Sequence, residues 1–245
     1  MADSEFDIIR RYFMPRGAGR DDVIAGVGDD AAVLRVPAEH ELVVCMDTLV
    51  GDVHFPQATA PNAIGHKALA VNLSDLAAMG AEPAWATLAL TLPENDADWL
   101  EQFSRGFFAL AERYNVQLIG GDITRGPLSV TVQAHGFVPG GKALRRAGAR
   151  PGELVCVTGT LGDAALALRL ADRAPALLRQ RLDYPEPRVA AGIVLRDRAS
   201  AVIDVSDGLL ADLGHLLEAD GLGAALRIGD LPRSAEFLKA LAAGA

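Results

Sequence analysis

Cysteine is nearly absent: the 245-residue chain has two, Cys45 and Cys156. A disulfide framework is thereby excluded, and a reducing cytoplasm is the expected compartment. Each thiol sits in an apolar, strand-like run, LVVCMD and ELVCVTG, and is expected to be buried and reduced. Basic charge is also scarce. Lys and Arg number 23 against 32 Asp and Glu, for a net charge of −9. A general nucleic-acid binder needs a basic face to displace counterions, so that class is excluded. Phosphorylated ligands are not, because bound metal ions invert the local sign. No apolar run approaches the roughly 20 residues that span a bilayer, so no membrane segment is expected. The N-terminus, MADSEFDIIRRYF, is acidic and amphipathic, unlike a secretion signal.

Several catalytic signatures are missing too. There is no Walker A sequence, since Gly141-Lys142 is followed by Ala143. The protein-kinase motifs and G-x-S-x-G are absent. Histidines 40, 54, 66, 135 and 215 show no paired metal-binding spacing. Gly26-Val27-Gly28-Asp29-Asp30-Ala31 matches a dinucleotide fingerprint in form. It runs into AAVLRVP, a strand pattern, whereas the fingerprint must open a helix.

What is present is a large apolar fraction, 50% of residues, enough for a sizeable core. Periodicity predicts helices over 4–13, with Phe6, Ile9 and Phe13 on one face and Ser4 and Asp7 as a capping pair. It predicts further helices over 61–79, 96–114, the GDAALALRLA segment, 189–195 and 209–217, and an Ala/Leu-rich helix at the end. Strands are expected at VIAGV, AAVLRV, ELVVCMD, AWATLALTL, VQLIGG, LSVTVQAHGFV, ELVCVTG, AVIDVSDG and AALRI. The Gly/Pro/Arg-rich stretch 145–152 marks a boundary, giving domains over 1–145 and 146–245. The first half mixes strands and helices and the second alternates them, so the class is α/β or α+β in two domains.

Small residues and carboxylates recur together at expected strand ends: Gly28-Asp29-Asp30, Asp47-Thr48, Asn72 with Asp75, Gly120-Gly121-Asp122, and Asp204 with Ser206-Asp207-Gly208. Open α/β sheets bind ligands at such an edge. Aspartates clustered without Lys or Arg repel one another unless cations fill the cluster, and magnesium is the hard ion that takes carboxylate and phosphate oxygens. Each aspartate singly could instead be a cap or turn residue. Asp75 lies within the apolar 61–79 helix, on one face with Asn72, where it is either solvated or metal-bound. Phosphates held without a P-loop would need metals, glycine backbone and arginines, with Arg125, Arg145 and Arg146 as candidates.

The stretches SEFDIIRRYF, GVGDDAAVL, DTLVGDVHF, NLSDLAAMGAEP, QLIGGDITRGPLSVTVQAHGFVP, RRAGARPGELVCVTGTLGD and IDVSDGLLADLGHL together resemble thiamine-monophosphate kinases. That family belongs to the superfamily that includes aminoimidazole ribonucleotide synthetase. The resemblance implies transfer of the ATP γ-phosphoryl to thiamine phosphate, with magnesium ions and no side-chain base. It implies Asp30, Asp47, Asp75, Asp122, Asp204 and Asp207 as metal ligands. Gly121, Arg146, Ser206 and Tyr114 would contact ATP, and His54 the substrate. It also implies an α+β N-terminal domain whose mixed sheet pairs in a homodimer, followed by an α/β domain. Three features depart from the family pattern. Cys45 and Met46 precede Asp47 in place of hydroxyl or small residues, leaving their backbone carbonyls as the only metal ligands there. Gly51-Asp52 stands where Glu-Gly is common. The chain ends at Ala245, before a GGxDYELL-like segment, so a truncated second domain is expected. The alternatives are a related ATP-dependent synthetase and a Mg-ATP-binding module without turnover.

Overall fold

The computed structural model describes residues 5–14 and 16–244. The Ser4 end of the expected capping pair lies outside them. Helix α1 (Glu5–Ile8) continues as a π-helical turn over Ile9–Phe13, closed by Met14 N–H donating to Ile9 O at 3.0 Å. The wider turn rotates the apolar face: Ile8, Tyr12 and Phe13 are buried, while Phe6, expected on that face, is exposed.

Strands β1 (Val23–Ala25) and β2 (Val33–Leu34) form a short antiparallel pair. The main sheet contains β3 (His40–Val50), β4 (Glu82–Leu92), β5 (Gln117–Arg125) and β6 (Ser129–Pro139), in the order β3-β6-β4-β5. β6 pairs antiparallel with β3 and β4, and β4 pairs parallel with β5, so the sheet is mixed. Helices α2 (Pro61–Ala78) and α3 (Ala97–Arg113) cross over one face. Proline suits the first turn of α2 because its missing N–H has no helical partner there. Asp96 caps α3, its carboxylate accepting from the amides of Asp98 and Trp99 at 2.9 and 3.1 Å.

Alternation along the strands divides the sheet. Leu88 and Leu90 of β4, with Val130, Val132 and Ala134 of β6, meet Leu69, Leu73 and Leu76 of α2 and Phe103 and Phe107 of α3 in the main core. On the opposite face, Trp85, Ile119 and Phe137 are covered by Val23, Ala32 and Leu34 of the β1–β2 pair. The helices approach closely because glycines line their contact. A Cβ on Gly106 of α3 would stand 1.9 Å from the Asn62 carbonyl oxygen.

The second half is helical: α4 (Asp163–Leu170), α5 (Ala176–Asp183), α6 (Val189–Leu195), α7 (Leu209–Asp220) and α8 (Ala235–Ala242). Here the expected strands at ELVCVTG, AVIDVSDG and AALRI do not form, for no ladder joins them to another strand among the described residues. A strand exists only through its partner, and apolar periodicity cannot supply one. Leu154 is accordingly 89% exposed, and Cys156, expected in a core, is exposed. The second half nevertheless grips the first. Gly192 of α6 packs on the backbone of Ala77 in α2. Arg196 donates to the Gly80 carbonyl at 2.5 Å, and Tyr184 donates to Asn62 at 2.7 Å. No helix among the described residues is long and apolar enough to cross a membrane.

Candidate functional site

Cys45, Asp47 and Leu49 alternate onto the helix-facing side of β3. Asp47 is therefore not at a strand end as expected, since β3 continues to Val50, and Asp122 likewise lies inside β5. Opposite Asp47, α2 presents Asn72, Ser74 and Asp75. Asn72 is fully buried and spends its side-chain amide on the Ala68 carbonyl at 3.0 Å, while its backbone carbonyl receives the Cys45 thiol at 3.3 Å. The solvated alternative for this helix face is thus ruled out at Asn72, and Asp75 is half-buried.

Asp204 arrives from the second half of the chain. Its carboxylate accepts from the Ser74 hydroxyl at 3.0 Å. Three carboxylates of distant sequence origin therefore meet: Asp47, Asp75 and Asp204. Burial, then the charges of Asp204 and Asp47, push the Asp75 carboxyl up to about 7, and Arg146 acts the other way. The interaction between the Asp47 and Asp75 side chains adds to the rise at Asp75 and opposes it at Asp47. Asp47 is also raised, by burial and by Asp204, against the bond from Asp75 and the nearby His54. The same surroundings push the Cys45 thiol up to about 12, so it is an inert packing group. A carboxyl raised this far is the signature of a cluster short of positive charge. No three His, Cys, Asp or Glu side chains among the described residues form a closed metal cage. The donor set instead fits a hard divalent cation held by one or two carboxylates and completed by ligand oxygens.

The model of the AIR synthase related protein, N-terminal domain, matches residues 28–138. Thiamine-monophosphate kinase from Salmonella typhimurium is 51% identical, over 98% of this chain and 76% of its own length. The crystal structure of thiamine-monophosphate kinase from Stenotrophomonas maltophilia K279a superposes with a TM-score of 0.85 at 54% identity, covering 89% of this chain and 72% of that one. AaThiL, complexed with AMPPCP and TMP, is 34% identical with a TM-score of 0.78, over 89% of this chain and 72% of that one.

The chain belongs to the thiamine-monophosphate kinase family.

The remaining residues that the family resemblance singled out fall in three groups. Ser206 and Asp207 follow Asp204 in an exposed turn before α7, and Arg146 is close enough for its charge to reach Asp75. His54 sits at the tip of the 50–55 turn that follows β3, its Nδ1 accepting from the Val50 amide at 3.0 Å. Buried Phe55 anchors that turn. Asp52 within it has φ +63°, a left-handed conformation that glycine adopts at no steric cost.

Asp30 and Asp122 are not among the charges that raise Asp47 and Asp75. Asp122 pairs with Ala89, on the sheet face away from α2, and Asp30 lies exposed in the turn before β2. Gly121 is demanded by packing, since a Cβ would stand 1.9 Å from the Leu88 carbonyl oxygen. Tyr114 spends its hydroxyl on Glu186 at 3.2 Å and the Pro187 carbonyl at 3.0 Å, clamping α3 to the second half.

Residues that the sequence did not single out support the site. Ser74 is one. Asp212 is another: it is buried, and its Oδ2 accepts from the amides of Ser206, Asp207 and Gly208 at 3.0, 3.2 and 3.1 Å. An acid in the first turn after Ser-Asp-Gly was the available signal.

Proposed function

We propose that this chain transfers the γ-phosphoryl group of ATP to thiamine phosphate, giving thiamine diphosphate and ADP. The observation that carries the proposal is about one-half identity to thiamine-monophosphate kinase over nearly the whole chain. The AMPPCP and TMP held by AaThiL correspond to the two substrates of that reaction.

Phosphoryl transfer passes through a loose transition state that needs positioning and charge neutralisation more than covalent help. The acceptor oxygen belongs to a phosphate that is already an anion at neutral pH. A side-chain base is therefore unnecessary, and the attack is direct and in line. Asp47, Asp75 and Asp204 would hold magnesium, with Asp30, Asp122 and Asp207 as further ligands. Bound magnesium would offset the charge that develops on the leaving ADP. Arg146 and Ser206 would contact the ATP phosphates beside this cluster. Gly121 would offer backbone, Tyr114 would contact ATP more peripherally, and His54 would meet thiamine phosphate.

We also propose a homodimer formed through the sheet. Leu42, Val44 and Met46 of the edge strand β3 are partly exposed apolar side chains on one face, the kind of patch that marks an interface. The two free thiols fit a cytoplasmic protein, and the division into 1–145 and 146–245 follows the glycine- and arginine-rich loop after β6.

The test is product analysis with ATP, magnesium and thiamine phosphate. ADP formation that depends on thiamine phosphate and leaves no inorganic phosphate supports the kinase. Stoichiometric free phosphate would instead identify a synthetase of the same superfamily. Magnesium-dependent nucleotide binding without either product would identify a binding module.

A further inference from the structure

Helix α7 carries an aspartate near each end, and each is tied to a different loop. In its first turn, Asp212 is 3% exposed and gathers three consecutive backbone amides, Ser206, Asp207 and Gly208, on a single carboxylate oxygen. At its last residue, Asp220 accepts from the Gly148 and Ala149 amides, both at 2.8 Å. Neither carboxylate makes an ion pair among the described residues, so both serve backbone N–H groups. Hydrogen bonds to an ionised acceptor are about twice as strong as neutral ones, and three to one oxygen fix the course of the chain.

The two loops flank the same cluster. The 206–208 turn follows Asp204 directly and presents Ser206 and Asp207 outward. The 148–149 segment follows Arg146, whose charge reaches Asp75. The loops are far apart in sequence and share no strand ladder. Upstream of both, Val202 N–H donates to the Arg145 carbonyl at 2.8 Å, and beyond that bond α7 ties down each loop separately.

We propose that α7 is a strut that sets the spacing of the two nucleotide-side loops, with Asp212 and Asp220 as positioning residues for the Ser206-Asp207 turn and the Arg146 loop. The proposal rests on the kinase function above. Neither aspartate touches a reacting atom. Each acts by holding backbone so that phosphate-facing groups meet the ligand in place, and misplacement of about 1 Å in such groups costs on the order of a hundredfold in rate.

The experiment compares the unaltered chain with Asp212→Ala, Asp212→Asn and Asp220→Ala. Two readouts are used: amide hydrogen exchange without ligand, and calorimetric binding of AMPPCP with magnesium. Asp212→Ala is expected to accelerate exchange at 206–208 and to weaken magnesium-dependent AMPPCP binding by about tenfold or more. Asp212→Asn keeps an acceptor oxygen but no charge, so it should fall between the two. It also serves if the alanine variant does not fold. Asp220→Ala should accelerate exchange at 148–149 instead, with its own loss of affinity. Unchanged exchange at the tethered amides, or unchanged affinity in folded variants, would overturn the strut. Failure of the unaltered chain to bind AMPPCP with magnesium is a different result. It would refute the nucleotide site itself, while the exchange data would still report whether the aspartates fix the loops.

Discussion

The hydroxyl of Ser74 donates to the carboxylate of Asp204 at 3.0 Å, joining residues 130 positions apart in the chain. This bond brings a carboxylate from the second half beside Asp75 on α2 and Asp47 on β3. After burial, which raises both most, the charge of Asp204 is the largest contribution raising Asp75 and Asp47 alike.

The raised Asp75 carboxyl gives the metal-free chain a pH dependence of definite sign. With a folded value of about 7 against 3.8 for an ordinary Asp, the folded state binds more protons than the unfolded state between those limits. Stability from this group is full below about pH 4 and is lost as pH rises through 7. Thermal melting in the presence of chelator should therefore decline from pH 5 to pH 8. Asp75→Asn should flatten that decline and melt higher than the unaltered chain at pH 8. An equally steep decline in the variant would remove Asp75 as its source.

Magnesium should reverse the trend. A cation that binds the folded cluster stabilises by mass action, about 2.7 kcal/mol at a hundredfold excess over its Kd. Protons compete for Asp75, so the gain in melting temperature should be larger at pH 8 than at pH 5 and should vanish with chelator. Asp47→Asn should reduce the gain while preserving the far-ultraviolet circular dichroism. A gain independent of both pH and Asp47 would place the ion elsewhere.

Gly121 meets a backbone requirement of the sheet. A methyl group there would collide with the Leu88 carbonyl, and that contact is between two strand backbones with little freedom to yield. Gly121→Ala should destabilise the chain by about 2 kcal/mol or more, read as a lower denaturation midpoint. Gly120→Ala, where a Cβ meets nothing within 4 Å, is the control and should be mild.

The turn carrying His54 contains the left-handed Asp52. Left-handed backbone costs an ordinary L-residue about 1–2 kcal/mol, and Asp tolerates it better than most. Asp52→Gly should be neutral or slightly stabilising, whereas Asp52→Val should lose about 1 kcal/mol or more. Equal melting temperatures for the two variants would show that the turn relaxes freely.

Most of the regular structure could be read from the residues. Helix α2 appears where Pro61 and Gly80 bracket an apolar run, and α3 forms within the expected 96–114 span, capped by Asp96. These features are local: a missing N–H, a side-chain oxygen within reach of the first amides, an apolar repeat of helical period. The π-helical turn was hidden because one added residue per turn shifts the face without changing composition. The strands expected at 153–159 and 201–208 were misjudged because periodicity reports burial preference and says nothing of a pairing partner.

The sequence by itself determined that this is a disulfide-free, acidic α/β chain with recurrent aspartates, and the order of its motifs was enough to resemble its family. Those properties are carried by composition and spacing, which survive in one dimension. Only the tertiary structure decided which aspartates act together. The crossing of α2 over β3 and the return of the chain to Ser74 gathered Asp47, Asp75 and Asp204, while the register of β5 set Asp122 on the other face of the sheet. Charge coupling falls off with distance and with solvent, so it depends on contacts across the fold that no local pattern records.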